Sequence, residues 1–385
     1  MFLDFKGAFD SVDRSSLMHT LLMKGVPEKF VNILRALYAH TSGCIRVYGQ
    51  MSDDFPTVSG VRQGCPLSPF LFNFVIDMII DTTLQGLDNP GIDIMPGEKL
   101  VDLEYADDIV LLFDTHHSAQ SMLDRMSEVI EHFGMHFSPH KCKVMLQDFQ
   151  ASILPLKLQG EDLAIVDQFT YLGSCISQDG TVTNEISARI AKARITFANL
   201  RHLWRQKGIS LQLKGRVYKT TVRAVLLYGC ETWPIRADDL KRLQIFDHRC
   251  LRSIARIGWN QRIRNERIRK IVFGDDKFSS LEQQIKIHMT RWLGHVLRMS
   301  SNRLPHKALY AIPNPEWHRT RGGQPMTWKG KMKTTTAKLG SVGSVRLPGW
   351  GPQNAPNTWP ENLRDMAMNR TQWRTFCHAL ALNSC

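Results

Sequence analysis

The stretch from Val101 to Phe113, Val-Asp-Leu-Glu-Tyr-Ala-Asp-Asp-Ile-Val-Leu-Leu-Phe, constrains this chain more than any other. Two adjacent carboxylates stand between two apolar, β-prone runs. The pattern predicts a hairpin with Asp107 and Asp108 at or beside its tight turn. Neighbouring acids repel each other and lose solvation unless a cation neutralises them. The strands of a hairpin would fix the height and direction of such a cation. The dipeptide alone also suits an ordinary solvated turn, so its companions decide.

Three further stretches supply those companions. Asp4 lies in Phe2-Leu3-Asp4-Phe5-Lys6-Gly7-Ala8-Phe9-Asp10, again an acid on a short apolar strand. Gly60-Val61-Arg62-Gln63-Gly64-Cys65-Pro66-Leu67-Ser68-Pro69 lies between the two acidic strands, and Gly134 to Lys141 follows them. One acid from one strand with two from a hairpin is a donor set for two-metal phosphoryl transfer, in which the ions stand about 3.5–4 Å apart. The 385 residues allow two or three domains, and the net charge of +13 favours a polyanionic partner such as nucleic acid. No run approaches the ~20 apolar residues that span a bilayer, so no membrane partner is expected. The N-terminus lacks a signal-peptide layout, and the eight cysteines form no Cys-x-x-Cys pair. Reduced thiols inside a cell are the expectation. His248, Cys250, His288 and His295 could be assembled into a zinc site, although their spacing matches no recognised ligand pattern.

In motif order the chain resembles the reverse transcriptase of a non-LTR (LINE-type) retrotransposon, and within these the RTE-like group. The order runs from the acid strand through Arg-Gln-Gly-Cys-Pro-Leu-Ser-Pro and Tyr-Ala-Asp-Asp to Gly134–Lys141 and Tyr171-Leu172-Gly173. Arg291 to Met299 resembles RTE-like elements as well. The resemblance implies an α+β fold: a palm with an antiparallel sheet packed on helices, followed by a helical thumb-like domain. The expected boundaries are 1–150 for the palm, 151–180 for primer-grip strands, 181–300 for the thumb-like domain, and 301–385 for a basic loop, linker and C-terminal helix.

The resemblance also implies site roles. Asp4, Asp107 and Asp108 are the catalytic acids. Asp4 and Asp107 are ligands for two Mg²⁺ ions, with Asp108 an accessory acid. Phe9, Arg62, Gln63, Gly64 and Lys141 fall to the nucleotide and template, with Phe9 as a steric gate against a ribose 2′-hydroxyl. Tyr171, Leu172 and Gly173 form the primer grip. Phe9 is equally suited to packing, Lys141 to a strand edge, and 171–173 to a generic hairpin. Asp10 is expected to brace its loop. The family often has Asn-Pro before the lysine, where this chain has Ser138-Pro139. The implied activity is RNA-directed DNA polymerisation, with an RNA template, a DNA primer and deoxynucleoside triphosphates as partners and the nucleus as the place of work. The alternative is a catalytically inactive, nucleic-acid-binding relic. An intron maturase or telomerase-like protein is a third reading, which the matches after residue 181 disfavour. In the family a fingers subdomain, and often an endonuclease, precede the first acid strand, so a longer polyprotein or a truncated copy is expected.

Periodicity predicts helices over Ser15–Val26, Glu28–His40, Phe70–Leu87 and Ser118–Phe133. Leu17, Leu21, Leu22, Phe30, Ile33, Leu34 and Leu37 are expected in the core. Leu156–Ile176 reads as two or three short strands. Helices over Lys214–Cys230 and Trp359–Leu382 are expected further on. Arg189, Lys192, Arg194, Arg201, Arg205 and Lys207 suggest a phosphate-gripping helix face, and Trp317–Trp328 a basic loop.

Overall fold

A computed structural model describes residues 1–87, 91–95, 97–147, 154–258, 260–274, 280–312, 327–342, 345–351 and 354–382. The basic loop with Arg319, Arg321, Gly322, Gly323 and Pro325 lies outside the described residues, as does part of the expected linker, the Gly-, Pro- and Asn-rich stretch 341–357. The chain divides into two compact units, Met1–Leu172 and Gly173–Cys385. No helix among the described residues is long and apolar enough to cross a membrane.

The first unit is mixed α/β. Strand Phe2–Leu3 sits at the centre of a five-stranded sheet, flanked by Asp108–Leu111 on one side and Lys143–Val144 on the other. Asp102–Tyr105 forms one edge and Ala164–Ile165 the other. The central pairings are antiparallel, with Phe2 opposite Val110 and Leu3 opposite Ile109. The pairing of Lys143–Val144 with Ala164–Ile165 is parallel, a departure from the expected antiparallel sheet. Helices Arg14–Met23, Ser68–Leu84 and His116–Glu131 pack together beneath it. Leu17, Leu21, Phe72, Ile76, Ile79, Met122 and Leu123 are fully buried there with Ile109 and Leu111. Each such side chain removed from water stabilises the unit by about 1.5–3 kcal/mol. Asp13 caps the first of these helices through the Ser16 amide at 2.7 Å, and Thr115 caps the third.

Helix Glu28–Ala39 corrects the expected core. Phe30 and Ile33 are 56% and 55% exposed, and Leu22 and Leu37 are exposed as well. The helix carries two adjacent apolar stripes, 30-33-37 and 31-34-38, and periodicity cannot choose between them. The second stripe faces in, because Tyr38 is buried with the guanidinia of Arg14 and Arg62 over its ring at 5.0 and 5.6 Å.

Leu156–Ile176 also holds more strands than expected. Gln159 and Gly160 both take positive φ, which turns Lys157–Leu158 back onto Glu161–Asp162. Ala164–Ile165, Gln168–Tyr171 and Ser174–Ser177 complete the segment.

The second unit is built mainly of helices. Thr183–Asn199, Ala237–Ala255 and Leu281–Leu297 are the long ones. Its core joins Trp204, Tyr218, Leu251, Ile285 and Leu293 to Trp350, Trp359 and Trp373 from the last part of the chain. Two expected helices are broken. Lys214–Cys230 divides into Leu211–Thr220, Val222–Leu226 and a 3₁₀ turn at Cys230–Thr232. The hydroxyls of Thr220 and Thr221 both donate to carbonyls one turn back and loosen the ladder there. The C-terminal helix divides into Thr358–Met368 and Arg370–Leu382, because the Asn369 side chain caps the second through the Gln372 amide at 3.0 Å. The basic face is also revised. Lys192, Arg194, Arg201, Arg205 and Lys207 are exposed, but Arg189 is buried against Glu185, with Nε to Oε1 at 2.6 Å.

Candidate functional site

The Tyr-Ala-Asp-Asp segment folds as a two-residue hairpin. Tyr105 pairs with Asp108, and Ala106 and Asp107 form the turn, with Ala106 at φ 56°. Asp107 and Asp108 are both exposed, while Ile109, Val110 and Leu111 behind them are buried. The acids therefore stand at the rim of a strand anchored in the core. Asp4 follows the central strand directly, beside Asp108–Leu111 in the sheet.

Asp4, Asp108, Lys141 and Tyr171 line one small cleft with Phe2, Leu3, Ile109 and Phe169. Lys141 Nζ donates to Asp4 Oδ1 at 3.1 Å. The Asp4 backbone is held by the Ser138 amide at 2.9 Å and by Cys142, whose Sγ accepts from the Asp4 amide at 3.4 Å. The Gly134–Lys141 segment thus fixes the first acid from behind and supplies its counter-ion. The Tyr171 hydroxyl reaches the carbonyls of Leu103 at 3.5 Å and Asp108 at 3.4 Å. Burial, then the charges of Asp107 and Asp4, push the Asp108 carboxyl above its ordinary range. Burial, then Asp108 and Glu104, push up the Tyr171 hydroxyl. The acids therefore act on one another across the cleft, and a cation would relieve them. Their donors are all carboxylate oxygens, which suits a hard ion such as Mg²⁺.

The Gly60–Pro69 segment lies across the turn after the first acid. The Val61 amide donates to the Phe9 carbonyl at 2.7 Å and the Gly60 amide to Val12 at 2.8 Å. A Cβ on Gly60 would lie 2.7 Å from the Asp10 backbone, and φ is +79°, so this glycine is required twice over. Gln63 Nε2 donates to both carboxylate oxygens of Asp10, at 3.0 and 3.1 Å. Arg62 donates to the Leu37 carbonyl at 3.0 Å and lies over Tyr38. Gly64 is exposed at φ +83° with open space around it. Phe9 is half-buried and stacked on Phe72, with ring centroids 4.5 Å apart. The cleft thus takes in Asp4, Asp108, Lys141 and Tyr171, whereas Asp107 stands at the hairpin turn outside its lining, Phe9 on the helical turn Ala8–Ser11 and Arg62, Gln63 and Gly64 on the segment across it. Leu172 closes the first unit at φ 47°. Gly173 opens the second at φ +79°, and its carbonyl accepts from Arg189.

Sequence reasoning missed Arg14. Its guanidinium donates to Thr41 Oγ1 at 2.7 Å, to the carbonyls of Thr57 and Ser59 at 2.5 and 2.8 Å, and to Gly60 at 3.0 Å. It therefore sets the approach to Arg62 and Gln63. No motif marks it, and only the folded contacts do. His248, Cys250, His288 and His295, whose spacing matches no recognised ligand pattern, do not assemble into one cluster. Among the described residues, three metal-type donors close to within 4.8 Å of one another only at Cys230, Glu231 and His288. Asp4, Asp107 and Asp108 do not reach that mutual spacing.

Comparison with known proteins matches residues 1–176 to the family described as reverse transcriptase (RNA-dependent DNA polymerase). The chain is similar to the retrovirus-related Pol polyprotein from type-1 retrotransposable element R2 of Nasonia vitripennis. Identity is 30% over 52% of this chain and 20% of that protein. It is 25% identical to the RNA-directed DNA polymerase from mobile element jockey of Drosophila melanogaster, over 74% of this chain and 31% of that protein. It is 24% identical to the probable RNA-directed DNA polymerase from transposon BS of the same fly, over 84% of this chain and 36% of that protein. The chain thus spans well under half the length of these relatives. The cleft between the first acid strand and the Tyr-Ala-Asp-Asp hairpin, the family match and the relatives agree: residues 1–176 match the reverse transcriptase family, and the chain is similar to the reverse transcriptases of non-LTR retrotransposons.

Proposed function

We propose that this chain carries the polymerising centre for RNA-directed DNA synthesis. The primer 3′-hydroxyl attacks the α-phosphate of a deoxynucleoside triphosphate, and pyrophosphate leaves. The observation that carries the reading is the single cleft in which Asp4, Asp108, Lys141 and Tyr171 meet. Residues 1–150 are read as a palm and 181–300 as a thumb-like domain that grips template and primer through Lys192, Arg194, Arg201, Arg205 and Lys207. The similarity of Arg291–Met299 to RTE-like elements supports that group within the family.

Asp4 and Asp107 are the proposed ligands of two Mg²⁺ ions, with Asp108 as accessory acid. When bound, such ions lower the pKa of the attacking hydroxyl and neutralise the leaving phosphates. The protein's own residues do the rest. Lys141 offsets the charge of Asp4 in the free enzyme, and its ammonium can instead hydrogen-bond the leaving pyrophosphate and give it a proton. Phe9, held flat against Phe72, presents a rigid edge that would exclude a ribose 2′-hydroxyl. Asp10 holds the Gln63 side chain, and Arg14 holds the backbone that leads to it. Tyr171 steadies Asp108 from its backbone side and leads into the Leu172–Gly173 turn proposed to hold the primer end.

Primer extension on an RNA template with Mg²⁺ tests the reading, with Asp107→Ala as its control. Extension by the native chain and loss of at least about a hundredfold in the variant are expected. Equal extension by both would remove the catalytic assignment. Salt-sensitive binding of RNA and DNA with no extension by either would return the alternative of a silent binding protein.

A further inference from the structure

We infer that Cys230, Glu231 and His288 form a binding site for one zinc-class divalent cation in the helical unit. The donor atoms of the three side chains, a thiol sulfur, a carboxylate oxygen and an imidazole nitrogen, lie within 4.8 Å of one another. In a tetrahedral zinc site with bonds of about 2.0–2.3 Å, such donors stand about 3.4–3.6 Å apart. Small side-chain rotations close the difference.

The local fold explains why the three meet. Gly229 at φ 74° turns the chain out of the Val222–Leu226 helix and into the 3₁₀ turn Cys230–Thr232. That turn packs on the Leu281–Leu297 helix, which carries His288 on its exposed face between the buried residues Ile287 and Met289. The turn is pinned from two further sides. Trp328 Nε1 donates to the Glu231 carbonyl at 2.7 Å, and Trp233 is buried. Cys230 has no exposed surface, so its sulfur offers itself to Glu231 and His288 rather than to solvent.

The chemistry of the set selects the cation. A thiolate, a carboxylate and a neutral imidazole carry two negative charges, which a divalent ion balances. Sulfur disfavours Mg²⁺ and Ca²⁺ and favours zinc. Three protein ligands leave a fourth position, which would hold water. Binding releases the Cys230 proton to solvent. The bound ion would tie the turn after Tyr228 to the Leu281–Leu297 helix. Tyr228 is the ring on which the Arg189 guanidinium rests at 4.4 Å, and Arg189 holds the Gly173 carbonyl. The cation would thereby brace the residues that support Gly173.

The test uses the full 385-residue chain, stripped with a chelator and titrated with Co²⁺. One equivalent is expected to produce a thiolate-to-cobalt charge-transfer band and strong visible bands of four-coordinate cobalt, both displaced by Zn²⁺. His288→Gln, at an exposed position, is expected to keep the helical circular dichroism and to weaken binding at least about tenfold. Cys44→Ser, which removes an exposed thiol, is expected to change nothing. Cys230→Ser should abolish the charge-transfer band. If that variant does not fold, His288→Gln decides alone. The absence of a one-equivalent band overturns the inference. So does a band unchanged in His288→Gln, whichever cysteine carries it.

Discussion

Asp247→Ala should unfold the helical unit far more readily than its size suggests. Arg223 and Asp247 are 2% and 1% exposed. Arg223 Nε and Nη2 donate to the two oxygens of Asp247, each at 2.7 Å, and the Tyr218 hydroxyl donates to Oδ1 at 3.0 Å. The guanidinium also rests on Phe273, 4.6 Å from its centroid. Removing the carboxylate leaves a cation in the core that cannot shed its proton. Breaking a buried pair from one side costs about 3–5 kcal/mol, and the stranded Tyr218 hydroxyl adds about 1 kcal/mol. With a urea slope of about 2–3 kcal/mol/M, a loss of about 4 kcal/mol lowers the midpoint by roughly 1.5 M. Arg223→Met in the same chain removes the orphaned cation, so the double variant should recover most of the loss. Tryptophan emission is the assay, because all nine tryptophans lie after Gly173 and report the second unit alone. A loss below about 1 kcal/mol in Asp247→Ala, or a double variant no more stable than the single one, would refute the reasoning.

Three other outcomes are expected. In Gly294→Ala the new Cβ would lie 2.0 Å from Trp373 Nε1, which donates to the Thr290 carbonyl at 2.9 Å. Overpacking should outweigh the ~1 kcal/mol helix gain, so the variant melts lower and its tryptophan emission shifts to the red. Gly60→Ala forces a side chain into the left-handed region against the Asp10 backbone. It should displace Arg62 and Gln63, raising the nucleotide KM in primer extension while the chain still binds RNA. Glu104 is pushed up to about 7 by burial, then by its bond to Asp102 and the charges of Asp102, Asp77 and Asp81. Its folded pKa exceeds the unfolded one, so its share of stability is full below the ordinary glutamate pKa of about 4.3 and is lost as pH rises through about 7. Solvent access reduces the size of the effect. Glu104→Gln should flatten the pH dependence of melting between these limits, followed by the methyl NMR signals of the buried Met122 and Met126.

The parts legible in the sequence were those governed by local rules. Alternation and a two-residue gap gave the hairpin of Asp107 and Asp108, and an apolar trio gave the strand before Asp4. Pro69 and the periodic residues after it gave the helix that begins at Ser68. The rest depended on contacts between distant residues. Arg189 looks like a member of a basic face until the fold brings Glu185 to it, and charge counting cannot see this. Phe30 and Ile33 look like core until Tyr38 is pinned by two guanidinia. Cys230 and His288 share no spacing rule, because one sits on a turn and the other on a helix packed beside it. Arg14 acts through carbonyl oxygens, which every residue has, so no residue type in the sequence announces its partners.

The Arg14 cluster has a modular consequence. Its contacts close the base of an arm between Thr41 and Thr57, in which Ser42–Gly43 pairs with Phe55–Pro56 and Arg46–Val47 with Gln50–Met51. Tyr48 at the tip is fully exposed. The base is secured independently of the tip, so the arm is a natural insertion site. Its length, its apolar face and even its continuity can change while Gly60 to Pro69 keeps its place. A protease cut at Tyr48 should leave two fragments that stay together, and a peptide or fluorophore grafted there should ride on the first unit.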